Sequence, residues 1–417
     1  MWASVAVGVA LGAAPAPTAP TAATADDDAA LVARGHTLVQ RFECNRCHTG
    51  HGLDPVAADK ACVGCHAAIE ADTFDAPKEV VARWREHIVD LTVAPSLTGG
   101  ERFRKDWLEG FLLRPHAHDL RPTLSAQMPR LDLTPDDARA LAAWIAGPEP
   151  SAPPDGLWLA GTRSGRRLAE SKGCGTCHRM TGLPGGLTPS AIPATLAPDA
   201  LEKAMLLAPD LRWTRERMRP QALVAWLMKP SAMKPESAMP DLPLTRLEAE
   251  DLAAFLLEAP LDPPPAAPLA ERLPVLTRRV EFQEVKDRVF RKTCWHCHSE
   301  PDLALGDGGP GNTGGFGFKG RGLSFVDYST ITSGSVGDDG QRRSIFRPIV
   351  PAPTTVVDGR RVVTDDTPRL LAHILARQVE ATGRDIPGVR GMPLGLPPLS
   401  PEDVQLVESW IAQGRPE

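Results

Sequence analysis

The hydrophobic pattern of the chain breaks into short helical stretches punctuated by proline. Trp2 to Ala14 is a 13-residue apolar run, too short to cross a bilayer, which takes roughly 20 residues. Leu31 to Phe42 predicts a helix, as do Lys78 to Leu91 and Pro368 to Glu380. Thr134-Pro135-Asp136-Asp137 reads as a helix start, with a capping hydroxyl, a proline at the first position and then acids. Ala138 to Ile145 continues that helix and Gly147 ends it. Ser400-Pro401-Glu402-Asp403 repeats the start, and Val404 to Ile411 continues it. No run after the first is long and apolar enough to be a transmembrane segment.

Two proline-rich stretches divide the pattern, Gly147 to Pro154 and Ala259 to Pro268. Proline cannot continue a helix, so both predict extended spacers. Three units result, at residues 30–147, 157–260 and 275–417. They repeat one another. Gly35 lies nine residues before Cys44, and Gly165 nine before Cys174. Ala94-Pro95-Ser96-Leu97 is answered by Ala208-Pro209-Asp210-Leu211, and Trp107 to Pro115 by Leu223 to Pro230. A Met-Pro step follows in each unit, at Met128, Met239 and Met392, and then a helix with a late aromatic. Trp144, Phe255 and Trp410 lie 16, 16 and 18 residues after those methionines. The expected architecture is all-α.

The start of the chain adds an export signal over residues 1–25. The apolar run is followed by Ala14-Pro15-Ala16 and Ala23-Thr24-Ala25, both small-x-small cleavage patterns, although no Lys or Arg precedes Arg34. Asp26-Asp27-Asp28 then reads as a solvated start of the mature chain. Charge changes the picture little. With 46 basic and 52 acidic residues, nothing points to nucleic acid, which favours a strongly basic domain.

Cysteine changes it most. The eight cysteines form four pairs, Cys44/Cys47, Cys62/Cys65, Cys174/Cys177 and Cys294/Cys297, each followed at once by a histidine: His48, His66, His178 and His298. One such match could be half of a zinc site or a redox dithiol. Four C-x-x-C-H motifs that consume every cysteine point to c-type heme attachment. The two thiols reach one porphyrin, and the histidine meets its iron as proximal ligand. Four covalent heme c groups are therefore expected.

Each iron then takes a sixth ligand or stays open. Met128, Met239 and Met392 are the candidates, because their repeated context sets them apart from ordinary core methionines. Met228 and Met233 are weak rivals of Met239. The first unit holds two heme motifs and one Met-Pro. His48 lies 47 residues before Pro95, whereas His178 lies 31 before Pro209. The surplus is about the length of a segment carrying Cys62 to His66, so the second motif reads as an insertion, with Met128 assigned to His48; pairing Met128 with His66 is the alternative. For the inserted heme, His87 is favoured as distal ligand, with His116, His118 and His51 as alternatives and an open iron as another. His296 is taken as a neutral spacer. His373 competes with Met392.

The order of helix, C-x-x-C-H, long loop, Met-Pro and helix with a late aromatic resembles the class I cytochrome c fold. The first two units follow it well, and the third resembles single-heme domains ending as Gly391 to Trp410 does. The resemblance implies tandem class I cytochrome c-like domains with an extra heme inserted in the first. It also implies that the first and last helices of each unit cross, and that His and Met ligate from opposite faces.

The expected role is electron transfer in the periplasm. By fold-level analogy the partners are a quinol-oxidising complex and a terminal oxidase or reductase. The runner-up is a heme enzyme, peroxidase-like or reducing a small oxyanion, with one open iron. A third reading is a heme subunit of a larger respiratory complex. The nine glycines between Gly306 and Gly322 lack the Gly-Lys-Ser/Thr of a phosphate loop. They are expected to let backbone approach a macrocycle or to stay mobile. Trp84, Trp107, Trp226 and Trp295 are read as core residues before electron relays.

Overall fold

The computed structural model describes residues 25–58, 60–86, 88, 92–117, 128–148, 161–189, 197–300, 309–349 and 355–417. The export-signal residues 1–24, His87 and His118 lie outside them. The described chain is predominantly helical and buries three separate hydrophobic cores.

The first core is built on α1 (Ala25–Arg41), α4 (Lys105–Leu113) and α5 (Pro135–Ala146), while α2 (Cys62–Glu70) and α3 (Lys78–Arg85) pack against each other beside it. Asp27 and Asp28 lie in the first turn of α1, where negative charge complements the helix dipole. α5 starts where the pattern predicts. Thr134 Oγ1 accepts the Asp137 N–H at 3.1 Å, and the Asp137 carboxylate accepts the Thr134 N–H at 3.2 Å. Such a reciprocal cap stabilises a helix by about 1 kcal/mol. α1 and α5 cross at Gly35. A methyl there would collide with the Ala140 carbonyl and sit 2.6 Å from the Trp144 Cβ.

The second core repeats this crossing. Its helices are α6 (Thr162–Ser171), α7 (Cys174–Cys177), α8 (Pro198–Leu207), α9 (Thr214–Arg217), α10 (Pro220–Met228), α11 (Pro230–Met233) and α12 (Arg246–Glu258). Gly165 of α6 lies on α12, where a methyl would strike the Asp251 carbonyl and come within 2.6 Å of the Phe255 Cβ. The glycine before the heme motif and the aromatic after the Met-Pro are thus one contact, made twice.

The third core differs. α13 (Phe282–Val285) continues as a π-helical stretch, Lys286–Cys294. Short antiparallel hairpins follow: β1 (Gly314–Gly315) with β2 (Phe318–Lys319), then, after α14 (Tyr328–Ser333), β3 (Ser335–Val336) with β4 (Arg342–Arg343), and β5 (Thr355–Val357) with β6 (Arg360–Val363). α15 (Arg369–Glu380) and α16 (Pro401–Ala412) close the unit. The hairpins depart from the all-α expectation in detail. The last has a readable cause: Asp358-Gly359 between β-branched runs, both residues at positive φ, is a tight hairpin turn. Here no glycine makes the helix crossing. Trp410 is fully buried, with its ring 5.8 Å from Phe282, 6.0 Å from Phe290 and 5.5 Å from Phe346.

The units touch. Phe103 pairs with Met218 as an antiparallel bridge, the Arg104 N–H donating to the Arg217 carbonyl and the Arg219 N–H to the Arg102 carbonyl, each at 2.9 Å. Arg102-Phe103-Arg104 and Arg217-Met218-Arg219 occupy equivalent places in their units, so the first two units meet through matching segments. The glycine-rich loop carries the third unit onto the first. The Phe316 N–H donates to a Glu43 carboxylate oxygen at 2.9 Å, Arg46 lies over the Phe316 ring, and Gly317 lies against Phe42. Farther along this interface, His116 bonds Asp385 at 2.7 Å, and Arg130 reaches Asp385 at 3.1 Å and Glu380 at 3.3 Å. The 259–268 spacer has no regular structure, as its prolines require. It is nevertheless pinned, with the Asp262 N–H on the Gly182 carbonyl at 2.8 Å.

Candidate functional site

The four C-x-x-C-H motifs sit on helical or turn backbone that opens immediately after a helix or a loop. Glu43 and Gly173, each just before the first cysteine of its motif, take left-handed backbone, φ 50° and 76°, which turns the chain out of the preceding helix. All eight cysteines are half-buried free thiols. Burial pushes the Cys44 and Cys174 thiols up to about 11 and the Cys294 thiol up to about 12. A zinc site or a redox dithiol works through thiolate. At these three positions burial disfavours the thiolate that such sites use. Cys47 and Cys62, from different motifs, share a hydrogen bond. That contact, with the nearby Arg46, pulls Cys62 down to about 7 while Cys47 moves up.

Two of the motif histidines are oriented by backbone carbonyls. His48 Nδ1 lies 2.7 Å from the Pro95 carbonyl, and His178 Nδ1 lies 2.9 Å from the Pro209 carbonyl. A carbonyl only accepts, so Nδ1 is the donor and the lone pair of the neutral ring falls on Nε2. This is the second-shell contact that orients a metal-bound histidine. It also explains the repeated Ala-Pro: each proline supplies the carbonyl. Because Pro95 receives His48 and not His66, the Cys44 motif is the one equivalent to the Cys174 motif, and the Cys62 motif is the extra one. Burial, with the Arg217 charge also nearby, lowers the His178 pKa, further favouring the neutral ring.

One cavity in the second unit collects the predicted parts. Cys174, Cys177, His178 and Met239 all line it, with Leu223, Leu227 and Leu252 among its apolar walls. The Trp226 indole donates to the Met239 sulfur at 3.1 Å, holding a thioether whose other lone pair remains for a metal. Lys172, Arg217 and Lys234 supply positive charge to the same cavity. Arg102, Phe103 and Pro95 reach it from the first unit. An apolar slot with two thiols, an oriented imidazole and a thioether fits the donor set of a heme c, with Glu236 among the charged residues at its wall.

No protein-family model, curated protein or solved structure matches this chain. The site therefore stands on its own geometry.

The remaining candidates divide clearly. Met128 packs against the first core and Met239 against the second, whereas Met392 is half-buried outside the third core's packed set. Met228 and Met205 are exposed, and Met180 and Met218 are core residues. Of the histidines weighed for the inserted heme, His51 bonds the Trp144 carbonyl at 2.8 Å and His116 bonds Asp385. Both have structural employment. His87, the favoured ligand, lies outside the described residues. Sequence reasoning passed over His296, whose ring centroid lies 5.6 Å from that of His66, across the contact between the first and third units. Only the fold could bring those two together.

His116, Glu380 and Asp385 also converge within metal-binding distance of one another. Arg130 sits on both carboxylates, and Arg377 approaches Glu380 at 3.6 Å. Two guanidinium charges already balance the acids, so the cluster reads as an ionic clamp between units. The glycine-rich loop packs onto the third heme motif: a methyl on Gly309 would lie 2.6 Å from the Cys297 Cα, and one on Gly311 would run into the His298 ring. Close backbone approach is what its glycines permit. Trp226, Trp295 and Trp107 all make specific packing or hydrogen-bond contacts, as core residues do.

Proposed function

We propose that this chain is a four-heme c-type cytochrome that carries electrons between redox partners outside the cytoplasm. The observation that carries the reading is the cavity in which Cys174, Cys177, His178 and Met239 meet. A heme c bound there would supply a one-electron couple. The chain's own residues would hold it by two thioethers, orient the proximal imidazole through the Pro209 carbonyl and set a soft, neutral sulfur opposite. Methionine ligation favours the reduced state relative to a second histidine. Apolar walls exclude water, and Lys172, Arg217 and Lys234 would pair the macrocycle's carboxylates. The His48–Pro95 pair argues for the same arrangement in the first unit. Covalent attachment of this kind is made on the far side of the membrane, in line with the export signal. Among the described residues no helix is long and apolar enough to cross a membrane.

A second reading keeps one specific support. Among the described residues, His51 and His116 are both engaged through Nε2, which narrows the ligands available to the inserted heme and leaves an open iron there as the alternative. That arrangement suits an enzyme that binds a small ligand. The test is the visible spectrum of the purified, dithionite-reduced protein before and after carbon monoxide, with heme counted per chain. Four hemes and no change would support the carrier. A change worth one heme, abolished by Cys62→Ala with Cys65→Ala, would favour the enzyme. A preparation without covalent heme would sink both.

A further inference from the structure

We propose that the heme of the third unit is held between two histidines, His298 and His373, and that Met392 is not its ligand. This rests on the heme reading above and deepens it. His373 stands on α15 with its Nδ1 2.7 Å from the Arg390 carbonyl. His298 has its Nδ1 3.2 Å from the Leu323 carbonyl. Both rings are therefore locked as the tautomer with the lone pair on Nε2, by the same device that orients His48 and His178. The two matched contacts leave both Nε2 lone pairs available to one iron.

Their surroundings agree. Both residues are half-buried. The rings lie within electrostatic reach, a charge on His373 counting against a charge on His298. Other charges near His373 are Arg369, Arg390 and Glu380.

Met392 offers less than its counterparts. Met128 and Met239 pack into their cores, and Met239 carries an indole on its sulfur. Met392 is outside the packed core. Its backbone N–H donates to the His373 carbonyl at 2.9 Å, so the Met-Pro step is tied to the helix that carries the histidine. The register differs too, Trp410 lying 18 residues beyond Met392 where the other units have 16.

The experiment uses the full heme-loaded chain and four readouts: heme per chain, the far-red sulfur-to-ferric-iron absorption band, carbon monoxide uptake by the reduced protein, and low-temperature electron paramagnetic resonance. Met392→Ala is expected to leave the far-red band and the carbon monoxide uptake unchanged. His373→Ala should retain four hemes, keep the band and gain carbon monoxide uptake worth one heme. His373→Met should keep four hemes and increase the band by one heme's share. Loss of about a third of the band in Met392→Ala, with no new uptake in His373→Ala, would overturn the proposal. Fewer than four hemes in the unmutated protein, with the third motif empty by peptide mass, would instead sink the underlying reading of that site.

Discussion

The second and third units carry the same inventory and use it differently. Each has a C-x-x-C-H, a Met-Pro and a final helix with a late aromatic. In the second, Gly165 lets α6 lie directly on α12, a proline carbonyl fixes His178, and Met239 faces the cavity. In the third, the helix position nine residues before the first cysteine is Val285, fully buried, and the contact is made through Phe282 and Phe290 against Trp410. A histidine on α15 faces inward, while Met392 stays outside the core. Repetition of a motif thus does not secure the same surroundings for it.

The largest effect that would break this comparison is loss of attachment. Cys174→Ala with Cys177→Ala should lower covalent heme from four to three per chain by mass and by pyridine hemochrome, and the Cys294→Ala/Cys297→Ala pair should do the same. Equal losses would show that the units are equivalent at this level whatever their ligands. The next effect is on stability. Trp410→Ala removes the fully buried centre of the third core and should cost about 3–5 kcal/mol, read as early melting of that unit by hydrogen exchange. At the helix crossing the two units should respond in opposite senses to size. Gly165→Ala adds a methyl where none fits and should cost about 1–3 kcal/mol. Val285→Ala removes methyls from a filled site and should cost about 2 kcal/mol. A neutral Gly165→Ala would mean that the close crossing is not needed.

The smallest effect lies at the contact between the first and third units. Arg130→Ala leaves the buried Glu380 and the half-buried Asp385 with less compensation. It should cost about 1 kcal/mol, since Arg377 still faces Glu380 and Arg130 is partly exposed. Burial alone would raise the Asp385 carboxyl, but the His116 hydrogen bond and the Arg130 charge more than offset it, so its pKa lies below the ordinary value. A depressed carboxylate contributes stability above its unfolded value of about 3.9 and loses it as pH falls through the lower folded value. The interface should therefore hold through neutral pH and release only in acid. Protease protection of the 309–322 loop, followed against pH in the wild type and in Arg130→Ala, checks this.

Much of the site was legible because its chemistry is local. Cysteine spacing, the adjacent histidine and the helix starts at Thr134 and Ser400 depend on a few neighbouring residues. The repeated Ala-Pro was legible as a repeat, though its use as the acceptor for His48 and His178 was not. What stayed hidden depends on contacts between distant segments. His116 could be weighed as a ligand only until Asp385, far along the chain, was seen to occupy it. His296 reads as a neutral spacer in the sequence because its neighbour His66 belongs to another unit. The hairpins of the third unit were missed although Asp358-Gly359 announces one, because the helical repeat suggested a single fold class throughout.

The Phe103–Met218 bridge has one more implication. An antiparallel pair made between equivalent residues has the symmetry of a contact between two copies of one molecule, each offering the other the same edge. At this contact the two units meet as two subunits of a homodimer would, within one polypeptide. Fusion replaces a concentration-dependent encounter with a tethered one, at an effective concentration set by the connecting segment. Once the partner is guaranteed, the two halves are free to diverge. The first half could take up a second heme motif and a second interface, while the other retained the simpler form.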